Sequence, residues 1–487
     1  MTSNPGKQWE TVIGLEVHAQ VLTNSKMYCS CSARYADAPP NTHVCQVCCG
    51  LPGALPVMNR AAIEKVILTG LALNCTIPNF CKLDRKNYVY PDLPKGYQIS
   101  QYDLPLCIDG AIEFAVDGET KRAGITRVHI EEDTGRLVHR VEPDGRDVSL
   151  VDLNRSGVPL MEIVGEPDLR SPEEAREYLI ALRQILRYIG VSTGNMEEGA
   201  FRCDANISVR EAGGPFGSKV EIKNMNSFRA VERALRYEEQ RQREVLESGG
   251  TIPQETRGWV EAQGITVSQR TKEQAHDYRY FPEPDLPPLR VADDMVNGIR
   301  DRMPELPAAR RGRFAAQYGL SPQDSNVLTL EREIADTFES TIGNDATPER
   351  AKTAANWIVN DVMALQKTRG LPAETLPLSV DQLRGLLDIV IAGELTGRAA
   401  KELLPALEPN EQPRDAAIRL NLLVLNDDGA VREAARRTLD AFPAAVEDFR
   451  SGKQAAIGRL IGETIKQTGG RAKPDDVRRI LLEELNR

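Results

Sequence analysis

The 487-residue sequence lacks the features that carry a chain into or across a membrane. It holds no run of about 18 apolar residues, the length a helix needs to span a bilayer. Its N-terminus, MTSNPGKQWE, has no basic-then-apolar leader, so secretion is not expected. Nine cysteines, an odd number in a long chain without such a leader, point to a reducing compartment and to the cytoplasm. No internal repeat and no low-complexity tract is present. Familiar nucleotide-binding and catalytic motifs are missing as well. There is no G-x-x-x-x-G-K-[ST] loop, and Ser451-Gly452-Lys453 is too incomplete to be one. No G-x-G-x-x-G follows a strand, and H-E-x-x-H does not occur. Any bound ATP must use a less common site.

A basic surface is also missing. With 61 Lys and Arg against 71 Asp and Glu, the net charge is −10. This argues against a wholesale nucleic-acid coat, though not against a local basic face. Residues 419–487 carry 13 Lys and Arg against 11 Asp and Glu, a balance of +2 at the end of an acidic chain. Ordinary helical surface charge is the simpler account of that balance. A hydrophobic content of 41% and a charged content of 27% fit a globular protein. The length suggests roughly three domains.

Short β-rich stretches recur at residues 10–21, 112–116, 125–131, 148–153 and 205–209, punctuated by Gly, Pro, Asp and Asn. Strands follow strands more often than they alternate with helices. The expected N-terminal fold is therefore α+β with an antiparallel or mixed sheet, not a doubly wound one. One helix is well signed. Ser171 caps it, Pro172 suits its first turn, Glu174 completes a capping box, and Gly190 stops it. Ala175, Tyr178, Leu179, Leu182, Leu186 and Ile189 form its apolar stripe. A second helix is expected over 227–247. The Pro-rich FPEPDLPPL, from Phe281 to Leu289, marks a boundary. Beyond it helices are expected at 307–318, 331–342, 348–366 and 380–392. After a break at 407–414 come 430–441, 444–468 and 473–485. The expected domains are 1–296, a helical 297–418, and a small helical tail, 419–487.

Four constellations could carry chemistry. Cys29-x-Cys31 and Cys45-x-x-Cys48 make two thiol pairs whose separation suits tetrahedral structural zinc. Four Cys ligands leave no open position for catalysis, and buried or free thiols are the alternative. Glu16 and His18 alternate onto one face of a β-like run and could bind a divalent cation. Taken alone, an ordinary surface strand is the simpler account of that pair. The stretch 82–102 is dense in Lys, Arg, Asn, Tyr and Asp. Arg85 would meet phosphates as a fork and Lys86 as a point charge, and the tyrosines could stack on a base or sugar. Finally, carboxylates stand at strand-like positions: Glu131, Glu132, Asp133, Glu162, Asp204 and Glu221. If they converge, only a cation would stop them repelling, and oxygen-rich clusters suit Mg²⁺. Spacing alone does not show convergence.

The stretch LDRKNYVYPDLPKGYQISQYDLP, from Leu83 to Pro105, closely resembles the signature of the B subunits of the aspartyl/glutamyl-tRNA amidotransferases and their archaeal relatives. The resemblance continues, in order, through ETVIGLEVHAQV, GITRVHIEEDTG, VDLNRSGVPLMEIV, MEEGAFRCDANISVR, EIKNMNSFRAVERAL, DYRYFPEPDLPPL and VEDFRSGKQAAIGRLIGETIK. It implies a cradle-like catalytic domain, a helical domain and a tail similar to the YqeY proteins. It implies an ATP-dependent ligase that transamidates misacylated Glu-tRNA or Asp-tRNA. A partner amidase, supplying ammonia from glutamine, and a small third chain would complete a heterotrimer. It further implies that Glu16, His18, Glu131, Glu132, Glu162 and Glu221 serve a Mg²⁺ and phosphoryl-transfer centre. Lys86 would lie near the phosphates or the ammonia path, and Asp204 near the activated carboxylate. The tail, with Arg450, Lys453, Arg459, Lys466, Arg471 and Lys473, would meet tRNA phosphates. Two rival readings stand beside this one: a passive tRNA-binding scaffold, and a zinc-ribbon nucleic-acid-binding protein.

Overall fold

A computed structural model describes residues 8–271, 278–344, 346–425 and 427–486. Most of the N-terminal decapeptide and Asp277 of the DYRYF motif lie outside the described residues. The chain forms two compact units, Met1–Leu306 and Pro307–Arg487.

The first unit is built on strands β1 (Trp9–Gln20), β2 (Phe80–Cys81), β3 (Asp84–Asn87), β4 (Tyr97–Ser100), β5 (Cys107–Val116), β6 (Glu119–Glu132), β7 (Arg136–Val141), β8 (Asp147–Asp152), β9 (Pro159–Gly165), β10 (Phe201–Glu211), β11 (Val220–Lys223), β12 (Glu255–Val260), β13 (Ile265–Thr271), β14 (Phe281–Pro282) and β15 (Leu289–Arg290). Eight of them form one sheet in the order β13-β12-β11-β10-β1-β9-β6-β5. Only β11 and β12 run parallel among these neighbours, so the sheet is mixed, as the strand-to-strand sequence pattern predicts. The stretch at 148–153 falls elsewhere: β7 and β8 form a separate two-stranded hairpin.

Alternation sorts the sheet into two faces. On β1, Leu15, Val17 and Ala19 are buried beside Ala205 and Ile207 of β10 and Met161 and Ile163 of β9. Three helices cover this apolar face: α1 (Arg60–Ala72), α2 (Pro172–Tyr188) and α3 (Phe228–Glu247). Helix α2 buries the predicted stripe against the sheet, at roughly 1.5–3 kcal/mol per large side chain. Its N-terminus departs from a capping box in one respect. Ser171 Oγ accepts from Glu174 N at 3.1 Å, but the Glu174 carboxylate accepts from Arg170 N at 2.7 Å, one residue before the cap.

The Pro-rich stretch belongs to the first unit. Pro282 and Phe281 pair with β3, Leu289 and Arg290 pair with β2, and helix α4 (Asp293–Arg300) follows against α1. Prolines are tolerated there because these strands are two-residue edge pieces.

The second unit is helical among its described residues. Helices Pro307–Tyr318, Arg332–Ile342 and Val380–Ile391 match expectation closely. The expected helix at 348–366 contains a π-helical turn, Trp357–Val362. The one expected at 444–468 is two helices, Pro443–Arg450 and Ala456–Gln467, because Gly452 takes a φ of +97° between them. Residues 425–485 gather an apolar cluster of their own, centred on Leu460, Ile480 and Leu481.

Candidate functional site

Register assembles the polar face of the sheet. His18 lies opposite Glu162 on one side and Arg202 on the other; Glu16 lies opposite Asp204, His129 opposite Glu162, and Asn206 opposite Glu221. Directly opposed residues share a face. Side chains from 16 to 221 in the sequence thus come together on five adjacent strands.

They form two groups. In the first, His18 Nε2 lies 3.4 Å from Glu162 Oε2 and 3.9 Å from Glu131 Oε2. Their ligand atoms all fall within 4.8 Å of one another. His129 Nε2 stands 3.4 Å from both Glu131 Oε1 and Glu162 Oε2. Ser100 Oγ and Gln98 Nε2 donate to Glu131 at 2.7 and 3.0 Å. Lys86 Nζ, from β3, is 3.6 Å from Glu131 Oε1. Burial opposes the charge on Glu162, yet His18, His129 and Lys86 hold its carboxyl well below the usual range. Burial opposes the Lys86 charge too, and Glu131 and Glu162 outweigh it, so Lys86 is held protonated. The same balance of burial against Glu162 and Glu131 raises His18.

The second group is drawn from β1, β10, β11 and β12. Lys223 Nζ donates to Asp204 Oδ2 at 2.5 Å and lies 3.6 Å from Glu221 Oε1. Asn206 Nδ2 donates to Glu16 Oε1 at 2.8 Å, and Thr256 Oγ1 to Glu221 Oε2 at 2.8 Å. Glu16 and Glu221 therefore gather here, not around His18. Glu132 joins neither group. Neighbours on a strand face opposite ways, and its carboxylate accepts from Ile99 N at 3.0 Å and pairs with Lys95.

A cavity of about 840 Å³ opens on these groups, lined by Lys86, Tyr88, Asp92, Lys223, Thr256 and Tyr278 among others. Much of its wall comes from residues 86–96, within the stretch whose density of polar groups marks it in the sequence. Aromatic rings edge it: Tyr88 meets Tyr278 at 6.0 Å, and Lys86 Nζ lies 5.3 Å from the centre of the Tyr278 ring; next to Tyr278, Tyr280 stacks on Tyr102 at 4.5 Å.

Arg85 has a different task from the expected phosphate recognition. Its Nε and Nη2 donate to both oxygens of Glu283 at 2.7 Å, and its guanidinium lies 4.2 Å over the Tyr97 ring. The Glu283 side chain is 0% exposed. Breaking such a pair leaves an uncompensated buried charge, so Arg85→Met should cost about 3–5 kcal/mol in a denaturant titration. The double variant Arg85→Met, Glu283→Met should recover most of that loss. A single variant as stable as the parent would show that the clamp does not matter.

The Cys quartet converges. The sulfurs of Cys29, Cys31, Cys45 and Cys48 lie within 4.8 Å of one another, and the Cys45 and Cys48 sulfurs are 3.9 Å apart. A tetrahedral zinc with bonds of about 2.3 Å requires edges of about 3.8 Å, so the donor set fits. Cys45 N donates to Cys48 Sγ at 3.1 Å. The Cys48 thiol is lowered to about 4, chiefly by the Cys29 thiol hydrogen-bonded to it; burial opposes this, and the Lys26 ammonium assists.

In the tail, Lys453 pairs with Asp448 at 2.8 Å and Lys466 with Glu463 at 2.9 Å. Arg471 donates to Asn421 Oδ1 at 2.8 Å, and Arg459 lies over the Phe442 ring. Sequence reasoning does not single out His129 or Lys223. Both carry a readable signal, since His129-x-Glu131 and Glu221-x-Lys223 repeat the alternation of Glu16-x-His18.

Residues 11–297 match the GatB/GatE catalytic domain family, and residues 336–485 match the GatB domain family. The first unit thus contains a known type of catalytic domain. The chain belongs to the B-subunit family of the aspartyl/glutamyl-tRNA(Asn/Gln) amidotransferases. It is 58% identical to the family member from Thermomicrobium roseum over 480 residues, covering 98% of this chain and 99% of that protein. It is 50% identical to one from Dehalococcoides mccartyi and 48% to that of Carboxydothermus hydrogenoformans, each covering 98% of this chain and 99% of the relative. Among the described residues, no helix is long and apolar enough to cross a membrane.

Proposed function

We propose that this chain is the ATP-using, tRNA-holding component of a cytoplasmic ligase. The enzyme would convert misacylated Glu-tRNA(Gln), Asp-tRNA(Asn) or both to Gln-tRNA(Gln) and Asn-tRNA(Asn), forming a carbon–nitrogen bond with glutamine as amido donor. The observation that carries the reading is the cavity where Lys86 faces half-buried His18 and buried Glu131 and Glu162.

The chemistry explains the demand for such a site. A carboxylate is a poor electrophile at neutral pH. Transfer of the γ-phosphoryl group to its oxygen makes an acyl phosphate and releases ADP. Ammonia then attacks the carbonyl carbon, and phosphate leaves. Positioning and charge neutralisation dominate phosphoryl transfer. His18, Glu131 and Glu162 would hold a divalent cation, with water and phosphate oxygens completing its shell. Such a cation supplies neutralisation of phosphate charge. His18, as nitrogen, is a less usual ligand for Mg²⁺ than the carboxylates. Lys86 would neutralise phosphate charge beside it. Asp204, held by Lys223, would orient the arriving nucleophile. Arg85 would act by fixing β3, which carries Lys86. Structural zinc would occupy the Cys quartet.

Ammonia would come from a partner amidase, with a small third chain completing a heterotrimer. Residues 1–296 would form the catalytic cradle, 297–418 a helical connection, and 419–487 a tRNA-binding tail. Reconstitution with both partners, ATP, glutamine and each misacylated tRNA in turn tests the whole reading. Loss of tRNA-stimulated ATP hydrolysis in Glu162→Gln is the expected result. Undiminished hydrolysis would favour the passive scaffold. For the tail, removal of residues 419–487 should lower the slope of log tRNA affinity against log salt. The fall should be about 0.7–0.9 for each phosphate that the tail neutralises. Equal slopes would exclude the tail as an electrostatic anchor.

A further inference from the structure

Lys26 is one of the largest fully buried side chains of the protein. The mechanism above does not use it. Its ammonium donates to two backbone carbonyls, His43 O at 2.7 Å and Leu153 O at 3.3 Å. A lysine charge is costly to bury on carbonyl dipoles alone and calls for an anion close by. The adjoining Cys quartet would supply it, because four thiolates around one divalent ion carry net negative charge, and the Lys26 ammonium already acts on Cys48. His43 belongs to the segment between the two Cys pairs. Leu153 opens the loop that leads into β9 and Glu162.

Further interactions run the same way. Ser156 Oγ donates to Cys48 O at 3.2 Å, and Met27 N donates to Gly157 O at 2.7 Å. Gly157 takes a φ of +82°, and a Cβ there would lie 3.6 Å from Cys48 Cβ, 3.6 Å from Lys26 Cδ and 3.8 Å from Glu132 Oε2. Gly50, two residues after Cys48, takes a φ of +67°, and a Cβ there would meet Lys95 Cγ at 2.5 Å and Lys95 Cα at 3.1 Å. Lys95 in turn pairs with Glu132. Gln98 bridges the Glu132 carbonyl and the Glu131 carboxylate, at 2.6 and 3.0 Å. The close approach of Gly50 to Lys95, the Lys95–Glu132 ion pair and the Gln98 bridge therefore join the Cys knuckle to Glu131 and to the loop that walls the cavity.

We infer that Lys26 and Gly50 are positioning residues, which brace the cavity loop and Glu131 on the metal-loaded Cys knuckle. Lys26 supplies the counter-charge that ties the knuckle to the loop before β9. Gly50 supplies the close approach that seats the knuckle on Lys95. The zinc knuckle is thus part of the frame of the reaction cavity. The inference rests on the proposed chemistry only for what Glu131 does once it is held in position.

The test uses the full-length chain with Lys26→Met and Gly50→Ala. It reads zinc affinity by competition with a chelator, and hydrogen exchange peptide by peptide. Mn²⁺ affinity is read by electron paramagnetic resonance. In Lys26→Met, zinc affinity should fall about 10–100-fold, the usual effect of losing a supporting residue around a metal site. In Gly50→Ala, the four cysteines remain and zinc should stay bound. Exchange over residues 88–99 should nevertheless rise about tenfold, with exchange in α2 and α3 unchanged. Mn²⁺ affinity should fall with it. Unchanged zinc affinity in Lys26→Met overturns the counter-charge role. Unchanged exchange over 88–99 in Gly50→Ala overturns the brace. So does a rise spread equally over α2 and α3 in either variant, since the residue would then serve the core at large. Zinc affinity and exchange are read without ATP, tRNA or partners. Their failure leaves the transamidation reading standing, and failure of transamidation leaves them standing.

Discussion

Replacing Lys86 by methionine should lower ATP-dependent amidation by about 10²–10³-fold, the scale of losing one preorganised charge-stabilising group. Affinity for tRNA should change by less than about twofold. Methionine keeps the unbranched stem and nearly the volume of lysine, so packing against Tyr278 is preserved and the loss is one of charge. The ammonium has two jobs that the geometry ties together. It faces the cavity that would receive the phosphates, and it lies 3.6 Å from Glu131. Glu131 is buried, which works against its ionisation, and Lys86 is the largest influence holding its carboxyl low. Removing Lys86 should therefore move the Glu131 ionisation upward, and the acid limb of the pH–rate profile should shift to higher pH. A merely structural defect would lower the whole profile without moving that limb. Full activity in Lys86→Met, with an unmoved profile, would take this lysine out of the reaction.

How much of this is legible in the sequence depends on the range of the interaction. Local signals read well. Ser171 caps the helix expected after it, since a cap needs only residues three positions apart, and the helix expected over 227–247 forms with Ser227 as its cap. Alternation puts Glu16 and His18 on one face, and Asp204 with Asn206, because a strand has a period of two. The convergence of those faces is not legible. It depends on β1 lying between β9 and β10, strands some 140 and 190 residues further along the chain, and nothing in a short window encodes that choice. Glu131 and Glu132 illustrate the limit. Adjacent in sequence and alike in chemistry, they read as members of one centre, yet the pleat sends one toward His18 and the other toward Lys95. Arg85 beside Lys86 repeats the lesson. Its partner Glu283 lies inside the Pro-rich stretch that reads as a boundary, so sequence suggests a free cation where folding makes a clamp. The resemblance across the chain supplies what spacing cannot, a function. It does not say which carboxylate meets which cation.

Removing zinc should release the knuckle while leaving the sheet intact. In reducing buffer with a strong chelator, cleavage by added protease between residues 29 and 50 should speed up about 100-fold or more. That factor corresponds to about 2.7 kcal/mol or more of local stability, at about 1.4 kcal/mol per tenfold, and the helices on the sheet should stay resistant. The expectation follows from the segment having no helix or strand of its own. Outside the quartet it is bound mainly by short polar interactions, such as Asn41 to Val151 O at 3.0 Å and Asn154 to Pro39 O at 2.7 Å. Zinc affinity should also rise with pH, with at least two protons released per ion. As the thiols stand together, Cys48 is lowered to about 4 and is already a thiolate at neutral pH. Cys31 is pushed up to about 11, first by burial and then by its hydrogen bond to Cys45. Cys29 is raised by the proton it shares toward Cys48 and by burial. Zinc must displace the protons of these two, so acid competes with the metal and alkali favours it. The same experiment carries its own refutation. Protein made in zinc-replete medium that contains no zinc, and whose knuckle is cleaved at the same rate with or without chelator, would make the quartet four ordinary thiols.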